Sequence, residues 1–146
     1  RLEWFKKIRA ATQFIAVQVS VSHSMIDSKG LSYAARYAVS QCLKKISHCS
    51  SLPTSHFRVL LDGGLYAPAE YRQRTIIKGD EREPIIAAAS IIAKVTRDKY
   101  MTRMHKAYPK YGFAIHKGYG TRAHIALIKK HGLSAIHRKT FCTRIV

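Results

Sequence analysis

The chain has 146 residues, 47% of them apolar, and carries 26 Lys and Arg against 8 Asp and Glu, a formal net charge of +18. That apolar share excludes a disordered basic tail, and no stretch approaches the ~18 uncharged apolar residues of a membrane span. What remains is one folded, strongly basic domain, and nucleic acid leads the polyanionic partners such a charge attracts.

Residues 2–10 are expected to form a short helix with Leu2, Phe5 and Ile8 on one face. Residues 14–21 alternate apolar with small or polar side chains and read as a strand. Asp27 or Ser28 then suits an N-cap, before Leu31, Ala34, Ala35, Ala38, Cys42, Leu43 and Ile46 recur at helical spacing over roughly 30–46. The Ser-rich stretch 47–56, with Pro53, reads as a surface loop. FRVLL (57–61) is a buried strand by composition and runs into Asp62-Gly63-Gly64. A small strand is expected at 75–77, followed by Lys78-Gly79-Asp80.

Pro84 suits the first turn of a helix whose segment IIAAASIIAKV (85–95) is apolar nearly all round, so this helix is expected to begin buried on every side. Residues 108–121 are rich in Gly and Tyr and read as an irregular functional loop. A last helix over 121–131 is expected to stop at Gly132. Strands alternating with helices imply an α/β domain. Cys42, Cys49 and Cys142 are odd in number and have no CxxC spacing, so reduced thiols are expected rather than disulfides or zinc.

The charge is uneven. Asp98 is the last acid, and residues 99–146 hold 11 basic residues and no acidic one. These cations alternate with Tyr100, Tyr108, Tyr111, Phe113, Tyr119 and Phe141, a pattern that suits backbone contact and base stacking.

Two acids stand out by context. Asp62 ends an apolar strand, where open α/β sheets place ligands. Asp98 follows Ser90 and Lys94 at i, i+4, i+8, a polar stripe on an otherwise apolar helix. Carboxylates converging on a cleft in a basic protein suit Mg²⁺ or Mn²⁺ and attack at a phosphodiester. A turn or cap aspartate at 62, and an ion pair of Asp98 with Lys94 or an N-terminal neighbour, are the ordinary alternatives. In His116-Lys117-Gly118-Tyr119-Gly120-Thr121, glycines admit a phosphate, Lys117 adds charge, Tyr119 offers a flat face and Thr121 can cap the next helix. A packing loop is the alternative there, and an exposed lysine is the alternative for Lys78 as a phosphate contact. Of the eight histidines, His116 and His137 stand out, with structural hydrogen bonding as their ordinary role.

The segments SMIDSKGLSYAARYAV (24–39), LLDGG (60–64), TIIKGD (75–80), IIAAASIIAKVTRD (85–98), YPKYGFAIHKGYGT (108–121) and HRKTF (137–141) occur in an order and spacing that closely resemble ribonuclease HII. The resemblance implies an RNase H-like α/β fold, a mixed sheet flanked by helices. It implies metal-dependent, two-metal hydrolysis of RNA in RNA–DNA hybrids, cutting 5′ of ribonucleotides embedded in duplex DNA and leaving a 3′-hydroxyl and a 5′-phosphate. Asp62 and Asp98 match the third and fourth of the family's four catalytic, metal-binding carboxylates, with Mg²⁺ or Mn²⁺ as cofactor. Tyr119 matches the tyrosine that packs on the junction ribose. Lys78 and Lys117 fall where the family has basic residues, and Lys94, His116, Gly118 and Thr121 complete the expected nucleic-acid contacts.

The family opens with a strand bearing Asp-Glu and then a Gly-Arg-Gly turn. Here no Asp-Glu pair precedes Asp80-Glu81, no Gly-Arg-Gly occurs, and residue 1 is Arg. The expectation is a single ribonuclease HII-like domain over 1–146, N-terminally incomplete by two strands and weakly active or inactive by itself. A monomeric, cytoplasmic protein with no membrane partner is expected. A non-catalytic basic nucleic-acid-binding module is the alternative. A ribosomal-protein-like reading rests on charge alone and leaves Asp98 unexplained.

Overall fold

A computed structural model describes residues 1–50 and 53–146. In chain order its elements are α1 (Leu2–Ala10), α2 (His23–Lys29), α3 (Leu31–Ser50), β1 (Arg58–Asp62), β2 (Arg72–Ile76), α4 (Gly79–Arg82), α5 (Pro84–Ala107), α6 (Phe113–His116), α7 (Arg122–His131) and α8 (Lys139–Cys142). Short 3₁₀ turns lie at Thr54–His56 and Pro109–Tyr111. The class is α/β, as expected. The described sheet is only the parallel pair β1–β2, in register from Arg58 beside Arg72 to Asp62 beside Ile76.

The expected N-terminal helix is α1. Glu3 sits in its first turn and pairs with Lys7 at 3.0 Å, an i,i+4 arrangement that favours the helix. The expected strand over 14–21 does not form. That segment has no regular secondary structure and pairs with no strand of the described residues. Its polar groups go instead to helices: the Arg9 guanidinium donates to the Ala16 carbonyl at 3.3 Å, and Thr96 Oγ1 on α5 donates to Gln18 Oε1 at 2.8 Å. Alternation alone does not make a strand, because a neighbouring strand must supply the hydrogen bonds.

Asp27 and Ser28, expected to cap the helix that begins near residue 30, lie instead inside the short helix α2, whose own N-cap is Ser22, with its hydroxyl accepting from the Met25 N–H at 3.2 Å. Helix α3 runs to Ser50, so residues 47–50 are helical rather than loop. Residues 51–52 of that expected loop lie outside the described residues, and the stretch closes in a 3₁₀ turn.

Leu61 and Ile76 are buried between the strands and the helices. The Gln73 side-chain amide folds the β1–β2 connection onto β2: its oxygen accepts from the Ala67 N–H at 2.8 Å and its nitrogen donates to the Ala67 carbonyl at 3.0 Å. Pro84 begins α5 as expected. The helix is not buried on every side. Ile86, Ile92, Val95 and Met101 are buried, while Ile85 is 51% exposed. The helix meets β1, α1, α4 and α6, and Ile85 stays half exposed.

The expected irregular loop 108–121 contains a 3₁₀ turn and α6, and α7 ends at Gly132 as expected. Met101, Tyr111 and Phe113 form a core cluster, lined by Met104, Tyr108 and Ile136. The Tyr111 and Phe113 rings stack at 5.5 Å. Two of the aromatics expected on a stacking surface are therefore core. Tyr100, Tyr119 and Phe141 keep exposed faces. The three thiols are free. Among the described residues no helix is long and apolar enough to cross a membrane.

Candidate active site and the Tyr119 loop

Asp62 ends β1 as a side chain already engaged: its Oδ1 accepts from the Gly79 N–H at 2.7 Å. Gly79 is closely packed against the start of α5. A Cβ there would lie 2.7 Å from Ile86 Cδ1 and 3.4 Å from Asp62 Oδ1. Lys78, just before it, takes the left-handed conformation (φ 54°), a costly backbone state for a non-glycine residue. Its ammonium is exposed and stands 3.8 Å from Glu81.

The polar stripe on α5 is divided between two partners. Lys94 Nζ lies 3.3 Å from Asp80 Oδ2 on α4, so the ordinary expectation of a Lys94–Asp98 pair is not what forms. Asp98 faces Arg1 instead, at 3.7 Å, with its side chain 30% exposed. Its Oδ1 is buried with no hydrogen-bond partner among the described residues. An unpaired carboxylate oxygen is costly to bury, and a cation is the partner that would relieve it. Asp80 went unremarked in the sequence as a site residue. Its signal was adjacency, since it follows the glycine that binds Asp62.

As hard oxygen donors, Asp62 and Asp98 suit Mg²⁺ or Mn²⁺. Asp98 Oδ1 supplies a free buried lone pair, whereas Asp62 Oδ1 is partly satisfied by a backbone amide. Among the described residues no group of three His, Cys, Asp or Glu side chains converges as a metal site. The donor chemistry therefore fits a divalent ion, and the donor number is short.

The other candidate segment is the loop after α6. Lys117 is left-handed (φ 53°) and its ammonium donates to Thr102 Oγ1 at 2.7 Å and to the Ala114 carbonyl at 2.6 Å, which ties the loop to α5. Gly118 (φ 77°) packs so closely that a Cβ would lie 3.0 Å from Met101 Cε. Tyr119 is 52% exposed, and the Arg97 guanidinium stands 5.9 Å from its ring centroid. Thr121 caps α7 as expected, accepting from the His124 N–H at 3.3 Å.

His116 is not where a nucleic-acid contact would be. It is buried, its Nε2 lies 2.6 Å from the Tyr111 carbonyl and its Nδ1 accepts from the Gly118 N–H at 3.2 Å. Both ring nitrogens are used inside the protein, so it shapes the loop from below. His124 was missed by sequence reasoning. It lies under Tyr119, and its only signal was its place one turn after Thr121.

The ribonuclease HII family model matches residues 66–144. The chain is 51% identical over 84 residues to a ribonuclease HII of Coxiella burnetii, covering 58% of this chain and 42% of the relative. It is 38% identical over 137 residues to that of Geobacillus kaustophilus, covering 94% and 50%. It is 40% identical over 146 residues to that of Prochlorococcus marinus, covering 99% and 66%. The chain thus spans about half the length of the curated relatives it matches. It belongs to the ribonuclease HII family.

Proposed function

We propose that this chain serves metal-dependent hydrolysis of the RNA strand in RNA–DNA hybrids, and 5′ of ribonucleotides embedded in duplex DNA. Asp62 and Asp98 would hold Mg²⁺ or Mn²⁺. When bound, such an ion activates water and stabilises charge at the phosphodiester. The observation that carries the reading is the buried, unpartnered Asp98 Oδ1 on the polar face of α5. Tyr119 would lie against the ribose, and Lys78, Lys94, Lys117, Gly118 and Thr121 would line the nucleic-acid path. Of these, Lys78 and Lys94 already stand beside Glu81 and Asp80 and would share their charge with an acid, whereas Lys117 is held only by neutral oxygens. The same reading takes residues 1–146 as one RNase H-like domain in which a mixed sheet is flanked by helices, monomeric and cytoplasmic.

A second reading, a binding module that does not cut, is favoured by the absence of a three-ligand cluster among the described residues. One experiment separates the two. Mn²⁺ binding is followed by electron paramagnetic resonance, and binding and cutting of a duplex with a single ribonucleotide are followed in parallel. Mn²⁺-dependent cutting 5′ of the ribonucleotide, lost in Asp98→Asn and in Asp62→Asn, supports the hydrolase. Tight duplex binding with no cutting and no Mn²⁺ uptake supports the module. Mn²⁺ uptake unchanged by both substitutions overturns the ligand assignment.

A further inference from the structure

Beneath Tyr119 lie three buried histidines, His116, His124 and His137. Two of them form a chain whose hydrogen-bond direction is fixed at both ends by the backbone. At one end the Ser134 N–H, which can only donate, points at His137 Nδ1 at 2.9 Å, and the Ser134 hydroxyl, which can donate or accept, lies 2.7 Å from the same nitrogen. At the other end the Tyr119 carbonyl, which can only accept, lies 3.0 Å from His124 Nδ1. Between them the two Nε2 atoms are 3.1 Å apart. One assignment satisfies all three contacts. His137 accepts at Nδ1 and donates from Nε2, and His124 accepts at Nε2 and donates from Nδ1 to Tyr119. In that assignment both rings are neutral, in opposite tautomers.

We infer that His137 and His124 are positioning residues for Tyr119, passing one hydrogen-bond direction from the Ser134 amide to the Tyr119 carbonyl and so fixing the loop that carries the exposed ring. The inference rests on Tyr119 as a substrate-facing residue, and it extends to pH. Each ring has a single unprotonated nitrogen. A proton on His124 Nε2 would face the His137 N–H, and a proton on His137 Nδ1 would face the Ser134 N–H. Either proton sets donor against donor at one contact, between the rings or at the Ser134 amide, and so weakens the chain, while the Ser134 hydroxyl remains an acceptor for a His137 proton and the His124 Nδ1–H stays on the Tyr119 carbonyl.

The surroundings keep the rings neutral. The His116 ring of α6 stacks on His124 at 4.1 Å, the Phe113 ring lies 5.6 Å from both, and Tyr111 is 5.2 Å from His137. Beyond these, the nearby titratable or charged groups are His131, edge-on to Tyr111, Arg138 next to His137 in the chain, and Arg97 and Lys117 on the α5 side of the loop. None of the hydrogen-bond partners of these rings is a carboxylate. Burial pushes both imidazoles below their ordinary value of 6.5 and the neighbouring imidazoles push the same way, against the backbone contacts at Tyr119 and Ser134, which push up.

The test has two arms. In the free protein, long-range ¹⁵N spectra should show His137 protonated at Nε2 and His124 at Nδ1 at pH 7.5, with the Tyr119 and Gly120 amide signals shifting as the rings titrate. In the second arm, affinity for a one-ribonucleotide duplex is measured without divalent ions, with and without Tyr119→Ala. The ratio of the two removes the general gain in positive charge on acidification. That ratio should fall at least about threefold between roughly pH 7.5 and 5.5, the range imidazole titration spans. His124→Asn keeps an N–H donor near the Nδ1 position and cannot titrate, so its ratio should stay within about twofold of wild type at the upper pH and not fall with acid. His137→Ala removes the donor to His124 and should lower the ratio at both ends of the range. The opposite tautomers, or a wild-type ratio that does not change with pH, overturn the inference. Absence of duplex binding would instead sink the substrate reading, and the spectra would still decide the tautomers.

Discussion

Asp27 caps α8 through Thr140, 113 positions later in the chain. Its Oδ1 accepts from the Thr140 hydroxyl at 2.6 Å and from the Thr140 N–H at 3.1 Å, and its Oδ2 accepts from the Lys139 N–H at 2.9 Å. A residue that reads as a local N-cap of the following helix is thus the cap of a distant one. The contact pins the C-terminal turn to α2.

Those bonds, the Thr140 hydroxyl first, hold the Asp27 carboxyl below its ordinary value of 3.8. A carboxylate depressed on folding adds stability above its unfolded pKa, and that stability is lost as pH falls through the folded value. Asp27→Asn should therefore lower Tm by a few degrees at neutral pH, and the gap to wild type should close below about pH 4. Thermal unfolding at several pH values measures it. A gap of constant size down to pH 3 would place the cost in lost packing rather than lost charge.

Phe113 is 1% exposed and its ring meets those of Tyr108, Tyr111, His116, His124 and His137. Removing it opens a cavity that those fixed rings cannot collapse into. Phe113→Ala should cost about 3–5 kcal/mol, and Phe113→Leu less. Urea midpoints of the two variants, with an unchanged m-value, check the ordering.

The two glycines that flank Tyr119 predict opposite outcomes. Gly118 has φ 77° and a Cβ there would approach Met101 Cε at 3.0 Å, whereas a Cβ on Gly120 would meet nothing within 4 Å. Gly118→Ala should cost about 1–2 kcal/mol, because the methionine can yield but the left-handed backbone cannot. Gly120→Ala should stay within about 0.5 kcal/mol of wild type. Equal urea midpoints for the two variants would mean that the loop backbone is not held as described.

Much of this was legible in the chain itself. Periodicity placed α1, α3, α5 and α7, and Pro84 and Gly132 marked two of their ends, because these signals act within a few residues. FRVLL marked β1 to within one residue, while TII caught only the last two residues of β2, which begins at Arg72. What was hidden depends on partners far away in sequence. Residues 14–21 have strand alternation but no strand among the described residues to pair with, Asp27 bonds across the whole chain, and Tyr111 and Phe113 look like the exposed aromatics around them until α5 packs over them. At the site, Asp62 and Asp98 were visible as acids in unusual places. The engagement of Lys94 by Asp80 and the histidine chain under Tyr119 were not, since neither leaves a mark in residue spacing.

Lys117 sharpens the nucleic-acid reading into a measurable slope. Its ammonium has three donors, and two go to Thr102 Oγ1 and the Ala114 carbonyl, neither of which carries charge. The positive charge is therefore held in place and left uncompensated beside the exposed Tyr119. A lysine anchored in this way keeps one N–H for a phosphate oxygen and loses little entropy on contact. Lys117→Ala should weaken duplex binding by a similar factor for every sequence and lower the slope of log affinity against log salt by about one. Thr102→Val removes one anchor but no charge, so it should weaken binding with the slope unchanged. A slope that is the same in Lys117→Ala and wild type would confine Lys117 to tying α6 onto α5.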